Sequence, residues 1–296
     1  MLRYPIGRLN TCPMMHPRAR LHMVDHQIAD ANPVVLQASG VSRSFRGLKA
    51  LSGYSVTLRK GEILGVIGPN GAGKTTLFNV ITGFVPPTDG QIDLNGASIV
   101  GKPPDAILRA GIARTFQNIR LFSGMTVLEN VLTAQQVRQP MGLVQTLLSL
   151  PGFLGNERRM RDAAISHLRE VGMARFADQP ATALPYGMQR KLEIARAIAT
   201  SPTILLLDEP AAGMNEQETA ELTGFIREIR GKFDLTIIVV EHDMSLIMRL
   251  CDRIQVLNYG SVIGEGSPAE IRSNPAVIEA YLGAPEDEPA TLGEVG

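Results

Sequence analysis

The sequence predicts an α/β fold whose central sheet is mainly parallel. Residues 204–207 and 236–240 are uninterrupted apolar runs, the pattern of strands that are buried on both faces of a parallel sheet. A third apolar run, residues 63–67, enters a glycine-rich loop, after which apolar residues recur at helical spacing. Strands that alternate with helices in this way build an α/β core.

Further strands and a helical segment surround these runs. Four apolar, β-branched segments separated by glycine and proline predict a strand-rich opening: residues 34–37, 54–58, 62–67 and 91–94. Between Gln117 and about residue 183 the apolar spacing becomes helical, around Val131 and again around Leu168. A helical lobe therefore interrupts the core, which resumes with a helix over about residues 188–200.

Bulk composition excludes several classes of protein. The 29 basic and 29 acidic side chains among 296 residues cancel, so no overall field draws the chain onto nucleic acid or an anionic bilayer. Cys12 and Cys251 are the only cysteines, and a reducing cytosol is therefore expected. Because no run approaches the roughly 20 apolar residues of a spanning helix, we expect that the chain does not cross a membrane by itself.

The two ends are predicted to lie outside the globular domain, which would span residues 34–283. Residues 1–33 lack the apolar run of a secretory signal, and we expect either a disordered arm or an upstream start codon assigned in error. Residues 284–296 are acidic with few apolar groups, which predicts a flexible, solvated tail.

The loop after residue 67 predicts a binding site for nucleotide phosphates. It consists of Gly68, Pro69, Asn70, Gly71, Ala72, Gly73, Lys74 and Thr75, with Thr76 next in the helix. The glycines let the backbone fold around a phosphate chain and present N–H groups and the positive end of the helix dipole. Lys74 adds a charge toward the β- and γ-phosphates, and the Thr75 hydroxyl is placed to bind Mg²⁺. Taken alone, the loop fits a kinase, a GTPase or a transport ATPase.

Two carboxylates follow the strand at residues 204–207. Asp208 and Glu209 lie at the carboxyl end of that strand, where α/β sheets bind their ligands. One can hold Mg²⁺ through water while the other polarises the attacking water as a general base, which are two tasks of phosphoryl transfer. The alternative is an acid pair that caps a helix or forms a turn.

Two further segments are ambiguous when taken alone. The helix that follows residues 184–187 offers a second anion site, useful only to a nucleotide bound to another subunit, but taken alone the segment is better explained by an ordinary capped helix. His242 follows the strand at residues 236–240 and would face the same sheet edge as Asp208. A lone histidine there is more often a structural hydrogen-bonding group.

Together these segments resemble the ABC transporter ATPase family over residues 34–283. Residues 68–75 match the Walker A loop, Gln117 the Q-loop, residues 184–188 the signature motif, residues 205–209 the Walker B strand, and His242 the switch histidine. The resemblance implies a P-loop NTPase core with an antiparallel β-subdomain and an inserted α-helical subdomain at about residues 117–185. It also implies ATP and Mg²⁺ as cofactors.

The resemblance implies roles for the residues around the phosphates. Lys74 and Thr75 would hold phosphate and Mg²⁺, and Asp208 and Gln117 would support the metal. Glu209 would activate water, with Gln117 also taking part in catalysis.

Other roles follow from the same resemblance. His242 would sense the γ-phosphate in catalysis, and Tyr186 and Gly187 would contact nucleotide. Phe45 falls where the family stacks an aromatic ring on adenine, although a core position in the first strands explains it as well. Asn215 stands in the D-loop, residues 211–215, where many members have aspartate.

The signature motif departs from the widespread LSGGQ. Pro185 replaces the serine, Tyr186 the first glycine and Met188 the glutamine, so a phosphate-facing hydroxyl is lost while Gly187 still matches. Because proline suits the first turn of a helix, the substitution need not disturb the fold.

A closer similarity is to the ATPases of branched-chain amino acid uptake systems. It rests on four phrases: IARTFQNIRL at residues 112–121, MTVLENVL at 125–132, LEIARA at 192–197 and VIEAYLG at 277–283. The resemblance implies a motor subunit for import of leucine, isoleucine and valine, although related importers move other amino acids or amides. The alternatives are an exporter-type or lipopolysaccharide-export ATPase and a non-transport ABC protein.

Partners are likewise implied by the family. We expect a second ATPase subunit, either a copy or a related chain, and transmembrane permease subunits, with a solute-binding protein as an indirect partner. Nucleic acid is not expected. The protein would act at the cytoplasmic face of the inner (plasma) membrane, as a peripheral subunit. Residues 141–154, with Leu147 and Leu148, form an apolar stretch that either packs on the helical lobe or stays exposed for a membrane-side partner.

Overall fold

The computed structural model describes residues 32–137 and 151–282. Its strands are β1 Val34–Phe45, β2 Leu48–Arg59, β3 Ile63–Ile67, β4 Asp89–Leu94, β5 Ala97–Ser98, β6 Ile112–Arg114, β7 Ile204–Asp208, β8 Thr236–Val240, β9 Arg253–Asn258 and β10 Ser261–Gly266. Its α-helices are α1 Lys74–Ile81, α2 Pro104–Ala110, α3 Val127–Gln135, α4 Pro151–Glu170, α5 Tyr186–Ile198, α6 Glu216–Lys232, α7 Met244–Leu250, α8 Pro268–Arg272 and α9 Pro275–Leu282. In this part of the chain, every helix is too short or too polar to traverse a bilayer.

The strands form two sheets. The central sheet has the order β10-β9-β3-β8-β7-β6, in which β9, β3, β8, β7 and β6 run parallel. β10 is antiparallel to β9 at one edge. The second sheet, β2-β1-β4-β5, is antiparallel throughout. The α/β class and the mainly parallel core predicted from the sequence are confirmed.

Alternate residues of β3 face two separate cores, because successive side chains of a strand point to opposite faces. Leu64 and Val66 pack with α1 and the inner face of the antiparallel sheet. Ile63 and Ile67 face the other core, which contains apolar residues of α3 to α7. The glycine loop after β3 is therefore anchored in both layers of the molecule.

The helical lobe consists of α3 and α4 packed beside α5. α3 begins with a capping box: Thr126 Oγ1 accepts from Glu129 N at 3.2 Å, and Glu129 Oε2 accepts from Thr126 N at 2.7 Å. Val131 and Leu168, which predicted this lobe, are both buried in its core. Of the predicted apolar stretch, residues 141–150 lie outside the described residues, and α4 begins at Pro151.

Several element boundaries differ from the prediction, among them the start of β2 at Leu48 rather than at residue 54. β1 continues from residue 37 to Phe45, because a tight turn at Arg46 and Gly47, with φ of 48° and 92°, pairs it with β2. α5 begins at Tyr186 rather than near residue 188. Pro185 is its N-cap, and the Pro185 carbonyl accepts hydrogen bonds from Met188 N and Gln189 N at 2.9 and 3.0 Å.

Candidate functional site

The phosphate loop has a backbone conformation that requires glycine at two close approaches. Gly68 has φ of 155°, and a Cβ there would lie 2.1 Å from Leu257 O. Gly73 has φ of 105°, caps α1, and a Cβ there would lie 2.5 Å from Ala50 O. Any side chain at either position would displace the loop from β9 or β2, so these glycines fix the shape of the cradle.

Lys74 is buried inside this cradle. Its Nζ donates to Gly68 O at 2.5 Å and to Pro69 O at 3.0 Å, so the ammonium points into the loop. Burial lowers the pKa of Lys74, while the nearby carboxylates of Glu209 and Asp208 act to raise it. Both predicted acids therefore lie within electrostatic reach of the loop lysine.

Asp208 lies at the carboxyl end of β7 in a buried ion pair. Its Oδ2 accepts from Arg114 Nη2 at 2.6 Å, and Arg114 Nη1 donates to Asn79 Oδ1 at 2.8 Å. The guanidinium centre lies 5.3 Å from the Phe78 ring and 5.0 Å from the Phe116 ring. Arg114 thus fixes the carboxylate relative to α1, a role that the sequence analysis missed.

Glu209 is held in an uncommon backbone conformation beside two other predicted residues. Its φ is 44°, a left-handed value that residues other than glycine seldom adopt. Gln117 Nε2 donates to Glu209 Oε2 at 2.7 Å, and His242 Nδ1 lies 3.7 Å from the same oxygen. The fold therefore brings Gln117, Glu209 and His242 together, although they are far apart in the chain.

Glu241 is a fully buried carboxyl that the sequence analysis did not single out. Its Oε1 accepts from Ala211 N at 2.8 Å and its Oε2 from His242 N at 3.1 Å. Burial raises the pKa of Glu241, and these backbone donors oppose the shift. One side chain thus joins the segment after β7 to the segment that carries His242. Its position directly after the apolar strand β8 was the available signal.

The start of α5 contacts the D-loop of the same chain. Tyr186 Oη donates to Ala212 O at 3.0 Å, and its ring lies beside Gly213. At Gly187, an added Cβ would have only Glu218 Oε1 within 4 Å, at 3.9 Å. This helix terminus is therefore open. Asn215, at the end of the D-loop, caps α6 through a capping box with Glu218.

Phe45 lies at the end of β1 and is 41% exposed. The guanidinium centre of Arg43 lies 4.5 Å from its ring centroid, which covers one face of the ring. The ring is therefore a partly exposed platform rather than a core residue. Residues 69–72 and 75–76 complete the loop and the first turn of α1 at the amino end of that helix.

The residues that would hold Mg²⁺ fit that ion. Mg²⁺ takes oxygen ligands, keeps several waters, and in nucleotide sites uses one or two carboxylates together with phosphate oxygens. Asp208 supplies a carboxylate whose Oδ2 is fixed by Arg114, and Thr75 supplies a hydroxyl in the first turn of α1.

Comparison with known proteins agrees with this geometry. The family model described as "ABC transporter" matches residues 51–212, and the model described as "Branched-chain amino acid ATP-binding cassette transporter" matches residues 261–287. The sequence is 45% identical over 249 residues to the high-affinity branched-chain amino acid transport ATP-binding protein BraF of Pseudomonas aeruginosa. It is 47% identical over 249 residues to the corresponding protein LivG of Escherichia coli K12. Each match covers 84% of this chain and 98% of the relative.

Solved structures that resemble this chain are also ATP-binding cassettes of ABC transporters. An ATP-binding cassette of an ABC transporter in its ADP conformation superposes with a TM-score of 0.74 and is 30% identical, covering 85% of this chain and 100% of the other. A nucleotide-free ATP-binding cassette from an ABC transporter superposes equally, with a TM-score of 0.74.

Proposed function

The chain belongs to the ABC transporter family of ATP-binding subunits, and on that premise we propose that it is the ATP-hydrolysing motor of an importer for branched-chain amino acids. The observation that carries this proposal is identity of 45% and 47% to BraF and LivG over 98% of their length. The match of residues 261–287 to a branched-chain transporter model supports importer over exporter.

The geometry supports a division of labour in ATP hydrolysis. We assign Lys74, with residues 68–76 around it, to the β- and γ-phosphates, because its ammonium lies inside the loop. Glu209 takes the proton of the attacking water on its carboxylate, which Gln117 orients by the 2.7 Å hydrogen bond. His242 lies beside Glu209, with its Nδ1 3.7 Å from the Glu209 carboxylate, and we assign it to the γ-phosphate. Phe45 offers its uncovered face to adenine.

Mg²⁺ bound with ATP would neutralise charge on the phosphate oxygens. In this chain Asp208, Thr75 and Gln117 are the residues assigned to it. Arg114 keeps the Asp208 carboxylate in place by the 2.6 Å ion pair. The residue roles are supported by these distances and by the family to which the chain belongs.

A second ATPase subunit completes the site in this proposal. The open start of α5, with Tyr186 and Gly187, would face a nucleotide held by the partner's phosphate loop, because a helix amino terminus attracts anions. The partner is either another copy or a related chain.

Permease subunits would dock beside the Q-loop at the cytoplasmic face of the inner membrane, with a solute-binding protein acting on the far side. Phe84 and Phe122 are 55% and 46% exposed, and Phe84 packs edge-on against Phe116 at 6.1 Å. Exposed aromatic side chains next to the Q-loop support a protein partner there.

Uptake by reconstituted vesicles tests the proposal. The chain is purified from membranes with its permease, reconstituted, and supplied with ATP on the ATPase side together with labelled leucine and a solute-binding protein. We expect ATP-dependent leucine uptake that is lost with Glu209→Gln. ATP hydrolysis without uptake of leucine, isoleucine or valine would contradict the proposed solute, and export of lipid would favour the exporter alternative.

A further inference from the structure

A buried ion pair lies one turn into α5. Arg190 Nη1 and Glu193 Oε2 are 2.7 Å apart, and their side chains are 0% and 2% exposed. Removing a guanidinium from water is costly, and replacing such a pair by apolar side chains is often neutral or stabilising. Stability alone therefore does not explain why this position carries a charge pair.

The pair holds the backbone of the Q-loop. Arg190 Nη1 also donates to Phe116 O at 2.8 Å, and Arg190 Nη2 donates to Gln117 O at 2.6 Å. Glu193 Oε1 accepts from Arg120 N at 3.3 Å. Two side chains of α5 thus bind three backbone groups in the segment that leaves β6.

Gln117 is held by hydrogen bonds through both its backbone carbonyl and its side-chain amide. Its carbonyl oxygen accepts from Arg190, while its side-chain amide donates to Glu209 at 2.7 Å. The planar guanidinium presents its donors in a rigid fork, so it sets the position of both carbonyl oxygens together. The place of the Gln117 amide therefore depends on Arg190, although Arg190 is not itself bonded to Glu209.

We propose that Arg190 is a positioning residue that holds Gln117 against Glu209 and thereby ties the start of α5 to the general base. The inference rests on the proposed function, from which the roles of Gln117 and Glu209 are taken. Two hydrogen bonds connect the Arg190 guanidinium to the Glu209 carboxylate through Gln117. Removing the guanidinium can therefore displace the Gln117 amide without a larger rearrangement of the fold.

Steady-state ATPase kinetics of the full chain test this assignment. Arg190→Gln should lower kcat on the order of tenfold or more, since small misplacements of catalytic groups have effects of that size. KM for ATP should stay within about twofold, because the phosphate loop is untouched. Arg109→Gln, which breaks an exposed ion pair with Asp105 on α2, is the control and should leave kcat unchanged.

A double-mutant cycle separates positioning from structural support. In a Gln117→Ala background, Arg190→Gln should change kcat by less than about twofold, because the group through which it acts is gone. Should Arg190→Gln fold poorly, the paired change Arg190→Met with Glu193→Leu removes both charges and is compared in the same two backgrounds.

Two results would overturn the inference: an unchanged kcat in the folded Arg190 variants, or an equal loss of kcat with and without Gln117. A structural role alone would lower the melting temperature and leave kcat of the folded protein intact. If the wild-type chain hydrolyses no ATP, the proposed function itself is wrong. If the wild type is active and the Arg190 variants give either of the two results above, only the inference about Arg190 is wrong.

Discussion

Lys74 already points into the glycine loop, where we propose that it contacts phosphate. Its ammonium is buried and is held by the carbonyl oxygens of Gly68 and Pro69. Burial lowers its pKa, yet two nearby carboxylates favour the charged form. The ammonium thus lies where phosphate oxygens would replace the carbonyl contacts.

Lys74→Ala should weaken ATP binding by about 10- to 100-fold. A hydrogen bond from a charged group contributes about 1.5–3 kcal/mol, and its loss changes the affinity by a factor of that size. Titration with a fluorescent ATP analogue measures the change. Lys102→Ala, at an exposed position beyond β5, is the matched control. An ATP affinity that Lys74→Ala leaves at the wild-type value would contradict the assignment of the loop.

Glu241 gives a prediction about stability and pH. Its pKa is raised by burial, so the folded chain binds this proton more tightly than the unfolded chain does. Its contribution to stability therefore falls as pH rises from about 4.5 through the raised pKa. We expect the advantage of the wild type over Glu241→Gln, in free energy of unfolding, to widen as pH falls from 7 toward 5.

Urea unfolding at several pH values measures this difference. Glu129→Gln is a control of opposite sign, because hydrogen bonds from Thr126 lower the pKa of Glu129 and their benefit is lost on acidification. If the difference in free energy of unfolding between the wild type and Glu241→Gln narrows on acidification, the pKa of the Glu241 carboxyl is lowered rather than raised, which would contradict the prediction.

Some site residues could be predicted from sequence and others could not. Asp208, Glu209 and His242 lie at the carboxyl ends of apolar strands or within two residues of them, so their place at one side of the sheet follows from the strand pattern. Arg114 and Arg190 each bind groups that are distant in the chain, and nothing local marks them as buried. Their partners become visible only when β6, β7 and α5 are packed.

At the scale of elements, helix α4 is attached to α5 by a buried histidine. His167 Nε2 lies 2.8 Å from Ala195 O, which can only accept, so Nε2 carries the proton. The His167 ring also lies 5.3 Å from the Phe233 ring. Burial lowers the pKa of His167 and so favours the neutral ring, and the hydrogen bond to Ala195 opposes the shift.

This histidine predicts acid sensitivity of the helical lobe. Because the unfolded chain binds the proton more readily, stability is lost as pH falls from about 6.5 through the lowered pKa. His167→Gln keeps a donor for Ala195 but cannot titrate, so its melting temperature should fall less between pH 7.5 and 5.5 than that of the wild type. An equal fall in both proteins would contradict this account.

The strands of the central sheet differ in how well the local sequence pattern predicts them. β3, β7 and β8 are short, mostly apolar strands in which every residue is buried, and each agrees with its prediction within one residue. β9 was not predicted, because Gln255 interrupts its apolar run. Gln255 is nevertheless fully buried, where its amide donates to Ser55 O and Glu265. Such a tertiary partner is invisible in a local pattern.

At the scale of the whole molecule, the two cores meet at the central sheet, and the candidate site lies at its carboxyl edge. β3 supplies the phosphate loop, β7 supplies Asp208 and leads into Glu209, and β8 leads into Glu241 and His242. Parallel pairing of these strands brings their carboxyl ends to one edge. Hydrolysis therefore depends on the packing of the sheet as well as on each side chain.

Nucleotide affinity and phosphate release, measured on one preparation of Glu209→Gln, test the central claim that this chain is an ATPase with Glu209 as its general base. The amide cannot take a proton from water, so phosphate release should fall by roughly 10²- to 10⁴-fold. ATP affinity should stay near the wild-type value, because the phosphate loop and Asp208 are unchanged. Phosphate release at the wild-type rate, or an equal loss of binding and release, would contradict the account.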